Sequence, residues 1–526
     1  MPQIQPVDIV APGAFGLNTE KGETLLRPQW ATTARNAVIN HAGRIGSRKG
    51  WASLTGAAIA GTPTIDVVFE QLSTANETTI ISAATNKIFK GVSDFTIGAN
   101  DITSATVPTA DHWKFVNFNG KALGYQRDHT PIVRSSGDFA DIVLSDPDFG
   151  PDGGNDAVAA FGRVWVVDKD KQTIWYSALL DETDFTTENG GGFLTMTKVW
   201  TTGIDEIVAI RAIGATLVVF GKNHIIMWAD QQGTELGLDP LSLEVVDTVE
   251  GTGCIARDSI AATGEGDLIF LSRHGLQSLG RVIQEKSNPI VSLTKNVRTV
   301  MLEAIKSQQT TDPDMDQVRS IHNPEEGLYI INFPVYGKMF ALDTQHTFQD
   351  DEGEPAVPVL LWDVGGSVVG LASRRNGDIY FGSGIGEIGK YSGNDDNTSS
   401  FEFEFWTGWL DFEQLNHRLK MLKEIVAVVS AGAGDINFVW EWDFSNTTNT
   451  RTVAYSTIAA AEFNDLPSGA EFNLGEFSGG LRVSRVTVAA FGEGQFIRVG
   501  ATATIDGFGI IIQQLSLSPK IGRMVT

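Results

Sequence analysis

The chain has 526 residues, 42% of them hydrophobic and 20% charged, and its 39 basic and 64 acidic side chains leave a net charge of −25. That length exceeds one ordinary core, the composition excludes a disordered or membrane-embedded chain, and no window holds the roughly 18 consecutive apolar residues of a spanning helix. The acidic balance excludes a surface that wraps nucleic acid, since affinity for phosphates comes from Lys and Arg, but it suits a channel wall that DNA passes without sticking.

The opening residues, MPQIQPVDIVAPGAFG, lack a basic region followed by an apolar core, so no secretory signal is read there. The single Cys254 cannot form an internal disulfide or a cysteine-based metal cluster and fits synthesis in a reducing cytoplasm. Residues 1–60 read as an N-terminal arm. Between residues 25 and 65 the charged side chains are Arg27, Arg35, Arg44, Arg48 and Lys49, with no carboxylate among them. The sharper reading of this asymmetry is a subunit or adaptor interface. The plainer one is a basic segment lying on the subunit's own acidic surface.

From residue 61 to 397 short apolar runs alternate with polar turns, and 56 glycines in the chain supply many of those turns. Runs at 65–69, 79–83 and 88–91 are followed by 113–118 and 122–125, joined at Asn119-Gly120, the strongest short hairpin signal. The stretch 162–185 shows the unit most clearly: Val164 to Val167, a polar turn at Asp168-Lys169-Asp170-Lys171, and a second run at Ile174-Trp175-Tyr176. Trp165 and Trp175 within it are expected to pack between neighbouring sheets. Further groups fall at 207–228, 259–279, 318–342 and 359–391. Units of about 35 to 50 residues with three or four strands predict a β-propeller of six or seven blades, since radial repetition protects sheet edges.

One helix is expected near 292–308, where Val297, Val300, Met301, Ala304 and Ile305 form an apolar stripe and Ser292 or Thr294 is placed to cap it. The segment holding Asp350, Asp351, Glu352 and Glu354 reads as an exposed acidic loop and is a candidate channel-lining or partner-facing surface. At SGNDDNTSS the composition changes, and longer alternating strands over 398–526 predict a separate β-sandwich. The fold class is therefore all-β.

No phosphate-binding loop, zinc helix or nucleophile elbow is present, and the histidines show no metal-ligand spacing. Asp312, Asp314 and Asp316, and likewise Asp168 and Asp170, faintly resemble calcium loops but lack the following Gly and distal Glu, so they read as polar turns. No catalytic residue, cofactor or metal site is assigned, and an enzyme is not expected.

Three stretches resemble the nozzle, or tail-hub, proteins of short-tailed bacteriophages, also called packaged-DNA stabilisation proteins. They are Ala34-Arg35-Asn36-Ala37-Val38 with Gly43-Arg44-Ile45 and Arg48-Lys49-Gly50-Trp51; Arg163-Val164-Trp165-Val166 leading to Tyr176-Ser177 and Asp184-Phe185; and Gly253, Ser259, Phe270-Leu271-Ser272 and His274-Gly275-Leu276. The resemblance implies a structural virion protein, made in the host cytoplasm and assembled into a homo-oligomeric ring, a hexamer in such families. That ring would extend the DNA channel below the portal and adaptor and meet fibre, spike or needle proteins. It would retain the packaged DNA and let it pass at ejection without tight binding. The alternative is a receptor- or carbohydrate-binding propeller module, and behind it a propeller glycoside hydrolase.

Overall fold

Between residues 67 and 391 the alternation of apolar runs and tight turns folds into a succession of antiparallel sheets. The computed structural model describes residues 7–524 apart from 41–42, 85–86, 93, 96, 104–111, 202, 231–237, 265, 286–291, 351–352, 365–367, 413–417, 431, 446 and 457–482. The sheets open on the inner strands Val67–Leu72, Lys114–Phe118, Asp156–Ala160, Ile207–Ile213, Ala261–Ala262, Arg319–Asn323 and Val368–Ser373. Six of these inner strands have five to seven residues. The fifth has two, so the chain forms six blades with full inner strands and one abbreviated sheet; among the described residues the first and fifth sheets have three strands and the other five have four.

Side chains on both faces of each blade pack against the neighbours. Ile81 and Ile88 of blade one meet Trp113 and Phe115 of blade two. Val116 and Tyr125 meet Val164 and Val166 of blade three, and Phe220 of blade four meets Phe270 of the abbreviated sheet. Leu271 packs with Tyr329 of the sixth sheet, and Ile330 with Phe381 of the seventh. Tyr380 and Ile388 of the seventh then return to Ile80 and Phe89 of the first, closing a β-propeller. The 162–185 hairpin lies within this ring as expected. Trp165 is fully buried in the seam with blade four, whereas Trp175 packs into the seam with blade two, so the two indoles serve opposite faces.

The segment read as an arm is instead woven into the folded body. Strand β5 (Trp51–Ser53) pairs with Ile388–Tyr391 as the outermost strand of the last blade. Gly389 permits this join, because a Cβ there would lie 2.2 Å from the Trp51 ring. Strand β1 (Val7–Val10) pairs with the C-terminal strand Ile511–Met524. Strand β2 (Ala31–Arg35) pairs in parallel with Val359–Trp362 of the sixth sheet and antiparallel with Phe401–Thr407. Strands β3 (Ala37–Ile39) and β4 (Ile45–Ser47) form a hairpin whose second strand also pairs with Ile511–Met524. Ile9, Ala31, Ala34, Ala37, Ile39 and Ile45 of these strands are buried, and pairing in a sheet satisfies their backbone as well as their side chains.

Residues beyond 400 form two packed sheets as expected, but β1 to β4 are part of them. One sheet has seven strands. The other runs on through β2 into the sixth blade, making nine strands in all. Between them lies a core including Phe403, Phe405, Ile425, Phe438 and Trp440, to which Ile9, Ala31, Ala37 and Ile45 contribute from the N-terminal segment.

Among the described residues there are two α-helices rather than the single one expected. Helix α1 (Leu279–Glu285) takes over where the sequence suggests the end of a strand. Helix α2 (Arg298–Thr311) buries Val297, Met301, Ala304 and Ile305 of the expected stripe against the fifth and sixth sheets. Its N-cap is Val297, and neither Ser292 nor Thr294 caps it; the Thr294 hydroxyl accepts from the Leu276 N–H at 3.2 Å.

Candidate functional site

The inner strands converge on the propeller axis, where their first residues place charge in a largely buried space. Lys114, Asp156 and Arg319 each open an inner strand, Arg211 lies within another, and Arg257 and Asp258 come from the 3-10 turn before Ala261–Ala262. Lys114 Nζ lies 2.8 Å from Asp258 Oδ1 and 3.5 Å from Asp156 Oδ1. Arg211 Nη1 reaches Asp156 Oδ2 at 2.6 Å, Arg257 Nη2 reaches Asp258 Oδ2 at 2.6 Å, and Arg319 Nη1 lies 3.0 Å from that same oxygen. Four cations thus surround two carboxylates. Burial alone would raise the Asp258 carboxyl, yet Arg257, Lys114 and Arg319 hold it well below the usual carboxylate range. Lys114 moves the other way: burial lowers its ammonium, and Arg211 adds to that.

Arg257 also ties blades together through backbone carbonyls, donating to His112 O at 3.0 Å and Asn155 O at 2.8 Å. None of these six residues was picked out from the sequence. The available signal was a charged residue at the head of an otherwise apolar strand, as in Lys114-Phe115-Val116.

One mouth of the axis is covered by the chain's own 312–317 loop. The aspartates there pair with blade residues instead of forming a metal-binding loop. Asp316 meets Arg127 at 2.7 Å, and Asp314 lies 3.7 Å from Lys171 and 3.9 Å from Lys222. Asp312 is turned inward and accepts from the Asp316 and Gln317 N–H groups at 2.9 and 2.8 Å. Between this loop and the blades remains a crevice of about 20 Å³. Asp170, in the other cluster, accepts from the Gln172 and Thr173 N–H groups of its own turn. Among the described residues no group of three or more His, Cys, Asp or Glu is placed to hold a metal ion.

The five basic residues singled out from the sequence do not form one patch. Arg48 is 1% exposed and held by Asp396, so it is unavailable to a partner. Arg35 pairs with Asp363, which also takes Lys338 at 2.8 Å, and Lys49 pairs with Glu326. Arg27 is exposed and Arg44 half-buried. The charge asymmetry is thus largely met within the subunit, by carboxylates some three hundred residues away in sequence.

In the acidic loop the structure sets Asp350 apart, while Glu354 is exposed as expected. Asp350 is 7% exposed and pairs with Lys295, and Glu354 lies 3.7 Å from Arg281 of α1. Asp350 therefore pins the approach to α2 and does not offer charge to a channel. Asp351 and Glu352 lie outside the described residues. Beside this loop a cleft of about 640 Å³ opens between the fifth and sixth sheets, with Asp267, Arg281, His322, Thr344 and Gln345 in its lining. Asp267 is engaged locally, accepting from Ser278 Oγ and from the Gly280 N–H at 2.8 Å. His322 Nε2 lies 3.2 Å from Thr344 Oγ1, and burial lowers its pKa.

No protein-family model matches the chain, and no curated protein matches it. Among solved structures it is similar to the extracellular domain of the one-component system BT4673 from B. thetaiotaomicron, with 9% identity and a TM-score of 0.28 over 68% of this chain and 45% of that one. It is similar to PorZ, a surface component of the type-IX secretion system of Porphyromonas gingivalis, with 9% identity and a TM-score of 0.32 over 77% and 46% of the two chains. A third likeness is to the WD40 β-propeller domain of Doa1, with 13% identity and a TM-score of 0.29 over 52% and 88%. The chain spans less than half the length of the first two. At such scores these likenesses say nothing of what the protein binds or does, and the propeller assignment rests on the sheet order and seams above. No helix among the described residues is long and apolar enough to cross a membrane.

Proposed function

We propose that this chain is a structural subunit of the nozzle, or tail hub, of a short-tailed phage. It forms a homo-oligomeric ring that extends the DNA channel below the portal and adaptor. The observation that best supports the reading is mechanical. The N-terminal strands tie the last propeller blade, the sixth sheet and both sandwich sheets into one body, with a nine-stranded sheet running across the junction. A subunit that holds back packaged DNA needs such stiffness, and a hinge between its two parts would waste it.

A net charge of −25 per subunit adds an electrostatic reason. Carboxylates facing a common lumen keep phosphates off the wall, so DNA is retained by the closed tail and leaves without adhering. Asp350, held by Lys295, does not serve that wall, whereas the exposed Glu354 remains a candidate for it. Adaptor or portal-side proteins, and fibre, spike or needle proteins, are the partners in this reading, and the virion tail is its location.

Imaging of the purified full-length protein and measurement of its mass test the proposal. A closed ring with an open axial channel is the expected result. A monomer that binds a saccharide or receptor fragment in the cleft beside Asp267 and His322 overturns it in favour of a binding module.

A further inference from the structure

The axial charge cluster carries an inference that stands apart from the nozzle reading. Its cations outnumber its carboxylates by four to two, and three of them, Lys114, Arg211 and Arg319, line a cavity of about 160 Å³ together with Asp258, Phe69 and Leu371, among others. Arg319 is 7% exposed at its side chain, and its Nη2 has no hydrogen-bond partner, although Nη1 is engaged by the Asp316 and Val318 carbonyls and by Asp258. A buried guanidinium N–H without an acceptor is costly, and a fork of this kind suits a tetrahedral oxyanion. Lys114 Nζ is held against the other oxygen of the same Asp258 carboxylate, so one carboxylate bridges the two cations at the cavity wall. Lys114 also keeps 19% of its side-chain surface, which leaves an approach from solvent.

We propose that the propeller axis holds a binding site for one small oxyanion of the phosphate class, seated between Arg319, Lys114 and Arg211. The anion offsets the cationic excess and, once the Arg319 guanidinium turns toward it, supplies the acceptor that the buried Nη2 lacks. A water molecule occupies roughly 30 Å³ of liquid, so the cavity has room for such an ion with part of its hydration shell. The effect of Arg211 on Lys114 agrees with this, because crowding by like charge is what a bound anion relieves.

The probe is inorganic phosphate, titrated into the purified full-length protein in chloride buffer at constant ionic strength, with calorimetry and phosphorus NMR line width as readouts. One saturable site per chain is expected. Lys114→Gln, which keeps the side-chain length and removes the charge, is expected to weaken phosphate binding by about tenfold or more, the loss of one charge-assisted contact. Leu371→Phe narrows the cavity without touching a charge and is expected to remove binding, which keeps the test open should Lys114→Gln not fold. Absence of saturable binding in the wild-type protein, equal affinity in the folded variants, or a phosphate-bound structure placing the ion elsewhere each overturns the proposal.

Discussion

Arg48 and Asp396 meet across 348 residues of sequence, with Nη1 on Oδ1 at 2.7 Å and Nη2 on Oδ2 at 2.5 Å. The same guanidinium donates from Nε to Asn36 Oδ1 at 3.0 Å and lies 4.0 Å from the centre of the Phe401 ring. It thereby fastens the N-terminal segment to the first strand of the sandwich. Removing one member of a buried pair leaves the other charge stranded, so Arg48→Ala is expected to destabilise the fold by about 3 to 5 kcal/mol, read as a lower urea midpoint. Arg48→Lys should recover part of this at most, because an ammonium cannot take both carboxylate oxygens in a planar fork. A variant as stable as the wild type would remove this pair from the account of the fold.

Deletion of residues 1–55 is expected to prevent folding of the whole chain rather than to trim an appendage. It takes away the outer strand of the last blade and four strands shared with the sandwich. Far-ultraviolet circular dichroism and size-exclusion chromatography provide the check: the truncated chain should be aggregated or lack a cooperative melt. A truncated chain that is monodisperse and melts like the parent would restore the picture of an independent arm.

Cys254 is fully buried, its thiol 3.1 Å from the Ala256 carbonyl and 3.5 Å from Ser259 Oγ, and burial pushes its pKa up to about 11. The thiolate is the reactive form, so thiol reagents at about pH 8 should leave the native protein unlabelled and modify it stoichiometrically in denaturant. Rapid labelling of the folded protein would show that the seam between blades four and five opens readily.

Acid should unfold the protein through its axis. The ordinary carboxylate value is 3.8, and Asp258 lies well below it in the folded chain. The stabilisation from that ionised group is complete above about pH 4 and is lost as pH falls through the folded value. Asp363 acts in the same sense, lowered by Lys338 and Arg35 despite burial, whereas Asp168 opposes it, its carboxyl raised by burial. His322, lowered by burial, adds a shallow decline that begins near its unfolded value of 6.5. Denaturant midpoints are therefore expected to fall gently below about pH 6.5 and steeply below about pH 4. Asp258→Asn should start lower and show a flatter acid limb.

Features that depend on near neighbours were legible in the sequence. The Asn119-Gly120 turn joins two paired strands, the 162–185 hairpin is present, and the stripe from Val297 to Ile305 faces a core. Helix α1 was missed because seven residues make about two turns, too few for a 3.6-residue period to stand out beside the preceding strand. The N-terminal strands were missed for a different reason. Alternation says that a strand will be half-buried, not whether its partner lies 5 or 450 residues away. The same blindness affected the charges: a run without carboxylates looked unpaired because Asp363, Asp396 and Glu326 are remote in sequence. The axial cluster is a further case, since six residues from five sheets become neighbours only when the ring closes.

The pairing of β5 with Ile388–Tyr391 also fixes an order of events during synthesis. The closing strand leaves the ribosome first and its partner 335 residues later, an interval of roughly twenty seconds to a minute at 5–20 residues per second. β1 waits longer still, for the last strand of the chain. The propeller therefore cannot latch until Ile388–Tyr391 has been made, and its first blade lacks its last neighbour until then. Any surface that includes the sandwich therefore comes into being only after Ile511–Met524 has been made, and a chain cut short of that strand would not present it.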